Sequence, residues 1–295
     1  MFTVFSRKEE KLILQAAALT DRGIKRAGNE DTVLAQTGPS PACHRGIYIV
    51  GDGIGGLQAG AEASRLAVEI ISTEFNRLLF SNSHSSYQPP LAVSLIPQAI
   101  KTAITHAQTQ IQMYAQTRPQ IQAMGTTITL AIIDNNTAYI GNVGDSRVYL
   151  HRQGHVTQIT QDHSWAAELV RMGKIDESDV AKHPRRNMLY RSLGTSGDDE
   201  VIVDLFERKL EAGDKLLLCS DGLWQAFSQY DELAEWLGKA GSPADTCRHL
   251  VAEAKRRDGS DNVSAIVVNV AENDCPSPRR SIINWFQHQE SVFEK

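Results

Sequence analysis

Apolar positions along this chain of 295 residues follow two different periodicities. Residues 59–78 and about 91–117 carry apolar side chains at helical spacing, with charged residues between them. The stretches that follow residue 125 instead contain short β-branched and apolar runs separated by turn residues such as Asp134, Asn135 and Asn136. Successive runs joined by tight turns predict β-hairpins, and therefore antiparallel sheet rather than alternating βαβ units.

The same pattern assigns most of the chain to elements. We predict strands at about 14–20, 32–35, 46–50, 126–133, 137–143, 148–150, 156–159, 201–206, 215–219 and 263–270, and helices at about 59–78, 91–117, 165–172, 230–238 and 243–256. Residues 81–90 are predicted as a polar loop. Residues 162–195 are irregular, and such a long excursion from a sheet either covers a site or forms a mobile surface loop.

One glycine-rich bend follows the apolar strand at 46–50 and holds an acid, Asp52, between Gly51 and Gly53. Glycines let the backbone turn sharply and approach a ligand closely. The spacing of Gly51, Gly53 and Gly56 also fits the dinucleotide-binding fingerprint. Two features disfavour that interpretation, since Asp52 would direct negative charge at a pyrophosphate and hairpin strands follow instead of a βαβ unit.

Other acids recur beside glycine at the ends of apolar strands. Asp145 follows Gly144, Asp221 precedes Gly222, and Asp261 lies two residues after Gly259. Strand ends on one edge of a sheet stack lie close together, and clustered carboxylates cannot all stay ionised without cations. Oxygen ligands of this kind favour Mg²⁺ or Mn²⁺, and the lack of cysteine and histidine at these positions argues against zinc.

Composition narrows the class of protein further. The chain is 41% hydrophobic and 22% charged, with a net charge of −5, and its basic clusters are too short to predict a nucleic-acid track. The first residues lack the apolar core of a signal peptide, and no apolar run approaches membrane-spanning length. Four cysteines without a C-x-x-C pair predict a reducing, cytoplasmic location.

Seven short motifs occur in one order along the chain. They are Arg26-x-x-Asn29-Glu30-Asp31, Asp52-Gly53-x-Gly55-Gly56, Gly125-Thr126-Thr127, Gly144-Asp145-Ser146-Arg147, Asp162-His163-Ser164, Ser220-Asp221-Gly222 and Asp261-Asn262. In these motifs the chain resembles the metal-dependent, type-2C serine/threonine protein phosphatases in their compact bacterial form. The resemblance implies an α+β fold in which two packed antiparallel sheets are flanked by helix pairs on both faces.

The resemblance also implies a domain division. Residues 1–13 would be an N-terminal extension, residues 14–271 the catalytic domain with its flap at about 162–195, and residues 272–295 a flexible C-terminal tail. Within the flap, Arg185, Arg186 and Arg191 become candidate contacts to a peptide or phosphate.

Site residues carried over from the family form a two-metal centre with a third, weaker ion. Asp52 would bridge the two ions, and the carbonyl of Gly53 would bind one of them. The remaining implied ligands are Asp221 and Asp261 for the other ion, Glu30 and Asp31 through bound water, and Asp145 with Asp221 for the third ion. Mn²⁺ or Mg²⁺ would be the cofactor, and Asn262 would orient the turn that contains Asp261.

The implied reaction is hydrolysis of phosphoserine and phosphothreonine by direct attack of a metal-bridging water. Arg26 would hold the substrate phosphate through bidentate hydrogen bonds. Ile54 and Leu57 stand where some family members have histidine, so the proton donor to the leaving group is not identified. A metal-bound water is the default donor; His163 is the side-chain candidate, although a structural role is favoured for it.

The predicted function is thus a bacterial protein phosphatase acting on proteins phosphorylated by a cognate serine/threonine kinase, with no nucleic-acid partner and no membrane span. The alternative is a phosphatase-fold sensor or binding module with weak activity. Such a module would be expected to have lost metal aspartates, whereas Asp52, Asp221 and Asp261 are all present.

Overall fold

A computed structural model describes residues 12–39, 44–80, 92–118, 124–176, 179–180, 183–195, 201–227 and 229–272. The predicted loop at 81–90 lies outside these ranges. So do residues 1–11 of the predicted N-terminal extension and residues 273–295 of the predicted tail.

The strands are short, and they assemble into two five-stranded sheets and one small ladder. In chain order they are β1 (Leu12–Asp21), β2 (Thr32–Thr37), β3 (Arg45–Gly51), β4 (Gly53–Ile54), β5 (Gly125–Thr126), β6 (Ile128–Asp134), β7 (Thr137–Val143), β8 (Arg147–Arg152), β9 (His155–Gln158), β10 (Asp204–Lys209), β11 (Lys215–Cys219) and β12 (Val263–Glu272). Sheet A has the order β1-β12-β11-β8-β9, sheet B has the order β10-β7-β6-β3-β2, and β4 pairs with β5. Each of these pairings is antiparallel, as the hairpin pattern predicts.

Helices cover the outer faces of both sheets. They are α1 (Leu57–Leu79), α2 (Ile96–Gln116), α3 (Trp165–Arg171), α4 (Asp221–Trp224), α5 (Tyr230–Gly238) and α6 (Pro243–Arg257), with a 3₁₀ turn at Val93–Leu95. In the described part of the chain, no helix combines the length and the apolar character that crossing a bilayer requires.

Three apolar layers hold this arrangement together. The first lies between α1, α2 and sheet B, the second between the two sheets, and the third between sheet A and the pair α5 and α6. Along β3, Ile47 and Ile49 enter the first layer while Tyr48 and Val50 enter the second. Central strands are therefore apolar on both faces, which explains why their sequences are continuous apolar runs instead of alternating ones. The predicted α+β sandwich is confirmed.

Some element boundaries differ from the prediction. The strand predicted at 201–206 is observed at Asp204–Lys209, because the end of this edge strand is exposed and lacks an apolar signal. The strand predicted at 126–133 is split between β5 and β6, since the N–H of Thr127 donates to the carbonyl of Asp52 instead of joining a ladder. The four-residue helix α4 starts at Asp221, where the sequence predicts only a strand end.

Strand register brings the predicted site to one edge of the two sheets. In sheet A, Cys219 at the end of β11 pairs with Arg147 at the start of β8 and with Ala265 near the start of β12. In sheet B, Gly51 at the end of β3 pairs with Thr32 at the start of β2. The residues just beyond these ends are Asp31, Asp52, Asp145, Asp221 and Asp261.

Candidate metal centre

The strand-end acids form one electrostatically coupled cluster. Asp52 interacts electrostatically with Asp31, Asp221, Asp145 and Asp261. Asp221 interacts in the same way with Asp145, Asp261 and Asp31. Asp31, Asp145 and Asp221 are buried. The structure therefore brings the predicted acids together, and we call this group the acid cluster.

Asp52 is held through its backbone by two threonines. The N–H of Asp52 donates to Thr127 Oγ1 at 3.0 Å, and the N–H of Thr127 donates back to the carbonyl of Asp52 at 2.8 Å. Thr126 Oγ1 also donates to that carbonyl at 2.9 Å. These contacts assign a positioning role to the Gly125-Thr126-Thr127 motif, a role that the motif's sequence does not reveal.

Close packing explains why glycine follows Asp52. The N–H of Gly53 donates to the carbonyl of Glu30 at 3.2 Å, and a Cβ on Gly53 would lie 2.3 Å from the carbonyl oxygen of Gly60. A Cβ on Gly60 would lie 2.0 Å from Oε2 of Glu30. Both glycines therefore let α1 approach the loop that carries Glu30. Gly60 was not among the predicted site residues, because a glycine within an apolar helix pattern gives no distinct signal.

Asp31 has one carboxylate oxygen satisfied and one free. Its Oδ2 accepts hydrogen bonds from Ser220 Oγ at 2.7 Å and from Ser264 Oγ at 2.6 Å. Its Oδ1 is buried and has no hydrogen-bond partner. A buried oxygen of this kind is costly unless something binds it. The two serines fix the orientation of Asp31 and were missed by the sequence reasoning, since isolated serines near strand ends are common.

Burial and mutual repulsion make the acids hard to ionise. Desolvation, followed by the charges of Asp31, Asp221 and Asp145, raises the pKa of Asp52 well above its usual range. Desolvation and Asp145 do the same to the pKa of Asp221. Burial raises the pKa of Asp31 to about 6, against the opposing effect of its serine hydrogen bonds. Without cations, the cluster thus holds protons near neutral pH.

The pKa of Asp145 is raised to about 7 by burial and, to a lesser extent, by the nearby charge of Asp162. Arg147 opposes that rise but is committed elsewhere. Its guanidinium forms hydrogen bonds of 2.6 and 2.9 Å to Asp162 and stacks 3.5 Å from the centre of the Trp224 ring. Trp224 in turn donates from Nε1 to the carbonyl of Asp145 at 2.9 Å, which anchors this acid at the cluster.

These residues fit a hard divalent cation. The cluster offers carboxylate oxygens, and one of them is buried and without a partner. Among the residues that the structure describes, no three carboxyl, imidazole or thiol groups form a closed ligand set. A cation in this cluster would therefore complete its shell with backbone oxygens and water, as Mg²⁺ and Mn²⁺ commonly do.

Arg26 and Asp261 form an ion pair at the exposed rim of the cluster. The distance between Arg26 Nη2 and Asp261 Oδ2 is 2.7 Å. Asn262 links the same turn to the first loop: its Oδ1 accepts from the N–H of Glu30 at 2.8 Å, and its Nδ2 donates to the carbonyls of Arg22 and Gly28 at 2.9 Å each. Asn262 thus holds the loop of residues 22–30 against the Asp261 turn.

His163 lies apart from the acid cluster. Its Nδ1 accepts from the N–H of Gly144 at 3.0 Å, and its Nε2 lies 3.0 Å from Asp204 Oδ2. Burial lowers the pKa of His163. With both ring nitrogens engaged, His163 acts as a structural support for the turn before Asp145.

The base of the flap is attached beside the cluster, while its tip faces solvent. Ser164 forms a β-bridge with Leu189. Leu193 forms a β-bridge with Thr126, one of the two threonines that hold the backbone of Asp52. Arg191 lies 3.1 Å from Asp204 and therefore supports the flap base. Arg185 and Arg186 are exposed.

Comparisons with known proteins agree with this geometry. The family description "Protein phosphatase 2C" matches residues 26–254. The serine/threonine phosphatase stp of Listeria monocytogenes is 34% identical over 257 residues, which cover 86% of this chain and 95% of that protein. PstP of Mycobacterium tuberculosis is 32% identical over 265 residues, covering 89% of this chain and 46% of that protein.

Solved structures give the same result. The crystal structure of the M. tuberculosis phosphatase PstP/Ppp superposes with a TM-score of 0.75 at 31% identity, covering 88% of this chain and 100% of that chain. The catalytic domain of PstP in complex with two manganese ions superposes with a TM-score of 0.72 at 30% identity and the same coverage. The chain therefore belongs to the protein phosphatase 2C family and is a metal-dependent protein serine/threonine phosphatase.

Proposed function

We propose that the acid cluster holds two divalent ions, Mn²⁺ or Mg²⁺, and that the enzyme hydrolyses phosphoserine and phosphothreonine directly with water. The observation that carries this proposal is a cluster of acids with raised pKa values and one unpartnered buried carboxylate oxygen. The two manganese ions bound in the similar PstP structure support the same ion count.

Each acid has a proposed part in holding the ions. Asp52 would bridge them with help from the Gly53 carbonyl. Asp221 and Asp261 would complete the ligands of the second ion, and Glu30 and Asp31 would act through water. The free Oδ1 of Asp31 supports its role, since that oxygen has no other partner. Bound divalent ions would activate the attacking water and neutralise phosphate oxygens.

The side chain proposed to hold the substrate phosphate is Arg26. It is half-exposed at the rim of the cluster, so its guanidinium can reach a phosphate that approaches from solvent. Its ion pair occupies Oδ2 of Asp261, the acid proposed as a ligand of the second ion, so Arg26 and that ion compete for the negative charge of Asp261. Phosphate and cation would thus bind in concert, because each offers a new partner to one member of this pair.

We also propose that water in the cluster, not a side chain, protonates the leaving alkoxide. His163 has both ring nitrogens engaged, and Ile54 and Leu57 carry no titratable group. Among the described cysteines, burial raises the pKa of the thiols of Cys219 and Cys247, which supports a reaction without a cysteinyl-phosphate.

A third, weaker ion is proposed at Asp145 and Asp221, supported by the burial of both acids and their interaction. The catalytic domain would comprise residues 14–271. Its substrates would be proteins phosphorylated by a cognate serine/threonine kinase, and its location would be cytoplasmic.

Phosphate release from matched peptides tests the proposed reaction. We expect hydrolysis of phosphothreonine and phosphoserine peptides with Mn²⁺ and none with a chelator, and little hydrolysis of the phosphotyrosine version of the same peptide. Asp145→Ala should raise the Mn²⁺ concentration needed for half-maximal rate. Equal turnover in chelator, or a preference for phosphotyrosine, would contradict the proposed function; an unchanged Mn²⁺ titration in the variant would remove the third ion.

A further inference from the structure

A second polar site lies on the helix-covered face of sheet A, away from the acid cluster. An open cleft of about 520 Å³ separates the β8–β9 hairpin from helix α5, and we call it the α5 cleft. Its lining includes His151 and His155 from the hairpin and Asp231, Glu235 and Gly238 from the helix. About 13 Å of strand separates His151 from Arg147, which stands at the end of β8 nearest the acid cluster.

His151 forms the buried part of the cleft. Only 7% of the residue is exposed, and neither ring nitrogen has a hydrogen-bond partner. Buried His163, in contrast, has both nitrogens engaged. A buried imidazole with two unsatisfied nitrogens is unfavourable in a folded protein. The neutral ring has one acceptor nitrogen, and a donor group that enters the cleft would satisfy it.

Two acids of α5 border the same cleft without an ionic partner. Asp231 and Glu235 are exposed and four residues apart, so they lie one above the other on one helix face. Neither forms an ion pair with any described residue. Glu232 is different, because it is paired with Arg257 outside the cleft. Like charges at this spacing repel each other, and a cation between them would relieve that repulsion.

The two basic residues beside His151 in sheet A, Lys215 and Arg152, are bound by other partners. Lys215 Nζ donates to the carbonyls of Leu237 and Lys239 at the end of α5. Arg152 is held by Asp214 and Glu211. Desolvation, assisted by the charge of Lys215, lowers the pKa of His151, so its ring stays neutral and retains an acceptor nitrogen.

We propose that the α5 cleft binds the guanidinium group of an arginine in a basic segment of a partner protein. Five N–H donors in a planar fork match two carboxylates and an imidazole acceptor better than the single ammonium of lysine does. A metal ion is the competing cation. The titration described below therefore includes Zn²⁺ beside the arginine peptide.

The structure offers two independent ways to remove this site. Asp231→Asn with Glu235→Gln removes both charges from exposed positions. Gly238→Leu fills the cleft: Gly238 does not have positive φ, and a Cβ there would lie 3.6 Å from His151 Nε2, an ordinary contact. Glu207→Gln with Asp176→Asn is the matched control, since both acids are exposed, lie outside the cleft and form no ion pair with any described residue.

Titration of the full chain followed by the ¹⁵N signals of the histidine rings tests the proposal. The probes are a capped peptide with one arginine between glycines, its lysine counterpart, free arginine and Zn²⁺. We expect saturable shifts of His151 with the arginine peptide, weaker binding of the lysine peptide, and at least about a tenfold rise in Kd in both site variants but not in the control. Turnover of p-nitrophenyl phosphate should be unchanged in the charge variant.

Several results would overturn the assignment. They are the absence of a His151 response at millimolar peptide, equal affinity in the site variants and the control, and saturable Zn²⁺ binding without arginine binding. Tighter binding of free arginine than of the peptide would replace the protein partner with a small-molecule ligand. Because binding is read without catalysis, this outcome is independent of the metal centre.

Discussion

Two groups of buried aspartates in this phosphatase have opposite surroundings. Asp214 and Asp134 lie far from the acid cluster, and each is paired with an arginine. Arg152 Nη2 lies 2.7 Å from Asp214, and Arg45 Nε lies 2.5 Å from Asp134. In the acid cluster, Asp31 and Asp145 are buried as well, but no cation among the described residues pairs with either carboxylate. The guanidinium nearest Asp145, that of Arg147, is bound by Asp162 instead.

The presence or absence of an arginine partner distinguishes buried aspartates with a structural role from those with a functional one. A buried carboxylate paired with arginine is stabilised by its partner, so nothing further needs to bind. A buried carboxylate without a partner is unstable in its ionised form and either holds a proton or binds a cation. Burial alone therefore does not mark the site; burial without a counter-charge does.

The largest expected effect comes from the centre of the acid cluster. Asp52→Asn removes the proposed bridging ligand, and turnover of p-nitrophenyl phosphate with Mn²⁺ should fall by on the order of 1,000-fold or more, since several kcal/mol of transition-state stabilisation is lost. Stability of the metal-free protein should not fall, because a repelling charge has been removed. Turnover close to that of the wild type would contradict the assignment of Asp52.

A substitution of Asp214, which is paired with arginine, should reduce stability and leave activity intact. Asp214→Asn breaks the bond to Arg152 and weakens the acceptor for the N–H of Glu211, which lies 2.8 Å away. We expect a loss of about 2–3 kcal/mol in the free energy of unfolding, measured by urea denaturation, with kcat retained. A large loss of kcat at unchanged stability would erase the distinction between the two groups.

A substitution of Arg26, at the rim of the acid cluster, tests its proposed contact with the substrate phosphate. Arg26→Ala should raise KM for a phosphopeptide by roughly tenfold while kcat changes little, because a guanidinium–phosphate contact formed in the bound state is lost. Steady-state kinetics at saturating Mn²⁺ measure this split, and Arg26→Lys is the control that keeps the charge without the fork. An effect confined to kcat would show that Arg26 acts in the transition state.

The smallest effect is expected at Thr127, which holds the backbone of Asp52 and is not itself a proposed metal ligand. Thr127→Val keeps the shape of the side chain but removes the hydroxyl that accepts from Asp52 and bonds to Ser146 at 2.9 Å. We expect a fall in kcat of several-fold and about 1 kcal/mol of lost stability. If kcat were unchanged while stability fell, Thr127 would serve the fold without positioning Asp52.

Much of the fold and of the acid cluster is predictable from the sequence, for a physical reason. Central strands are buried on both faces, so they appear as continuous apolar runs, and the site lies where those runs end. Asp52, Asp145, Asp221 and Asp261 are all found in this way. Edge strand β10 is predicted, but its bounds are shifted because its second half is exposed. Helix α4 is not predicted because four residues are too few to show a helical period.

Supporting contacts are less accessible to sequence reasoning. Ser220 and Ser264 contact Asp31 although they lie 189 and 233 positions away from it in the chain. Gly60 is required because Glu30 packs against it. Nothing local distinguishes such residues from other serines and glycines. Asn262 is another example: the sequence predicts that it orients the Asp261 turn, and its side-chain bonds to the loop of residues 22–30 are a further contact that no local pattern indicates.

The unpaired acids of the cluster are expected to exchange protons for cations. Asp145, with a pKa of about 7, retains a fraction of its protons at neutral pH, and such protons must leave when a metal ion binds. Isothermal titration of Mn²⁺ into the metal-free protein at pH 7, in two buffers of different ionisation enthalpy, measures that release. The account predicts Mn²⁺ binding with net proton release, reduced in Asp52→Asn; binding without proton release, or no binding, would contradict it.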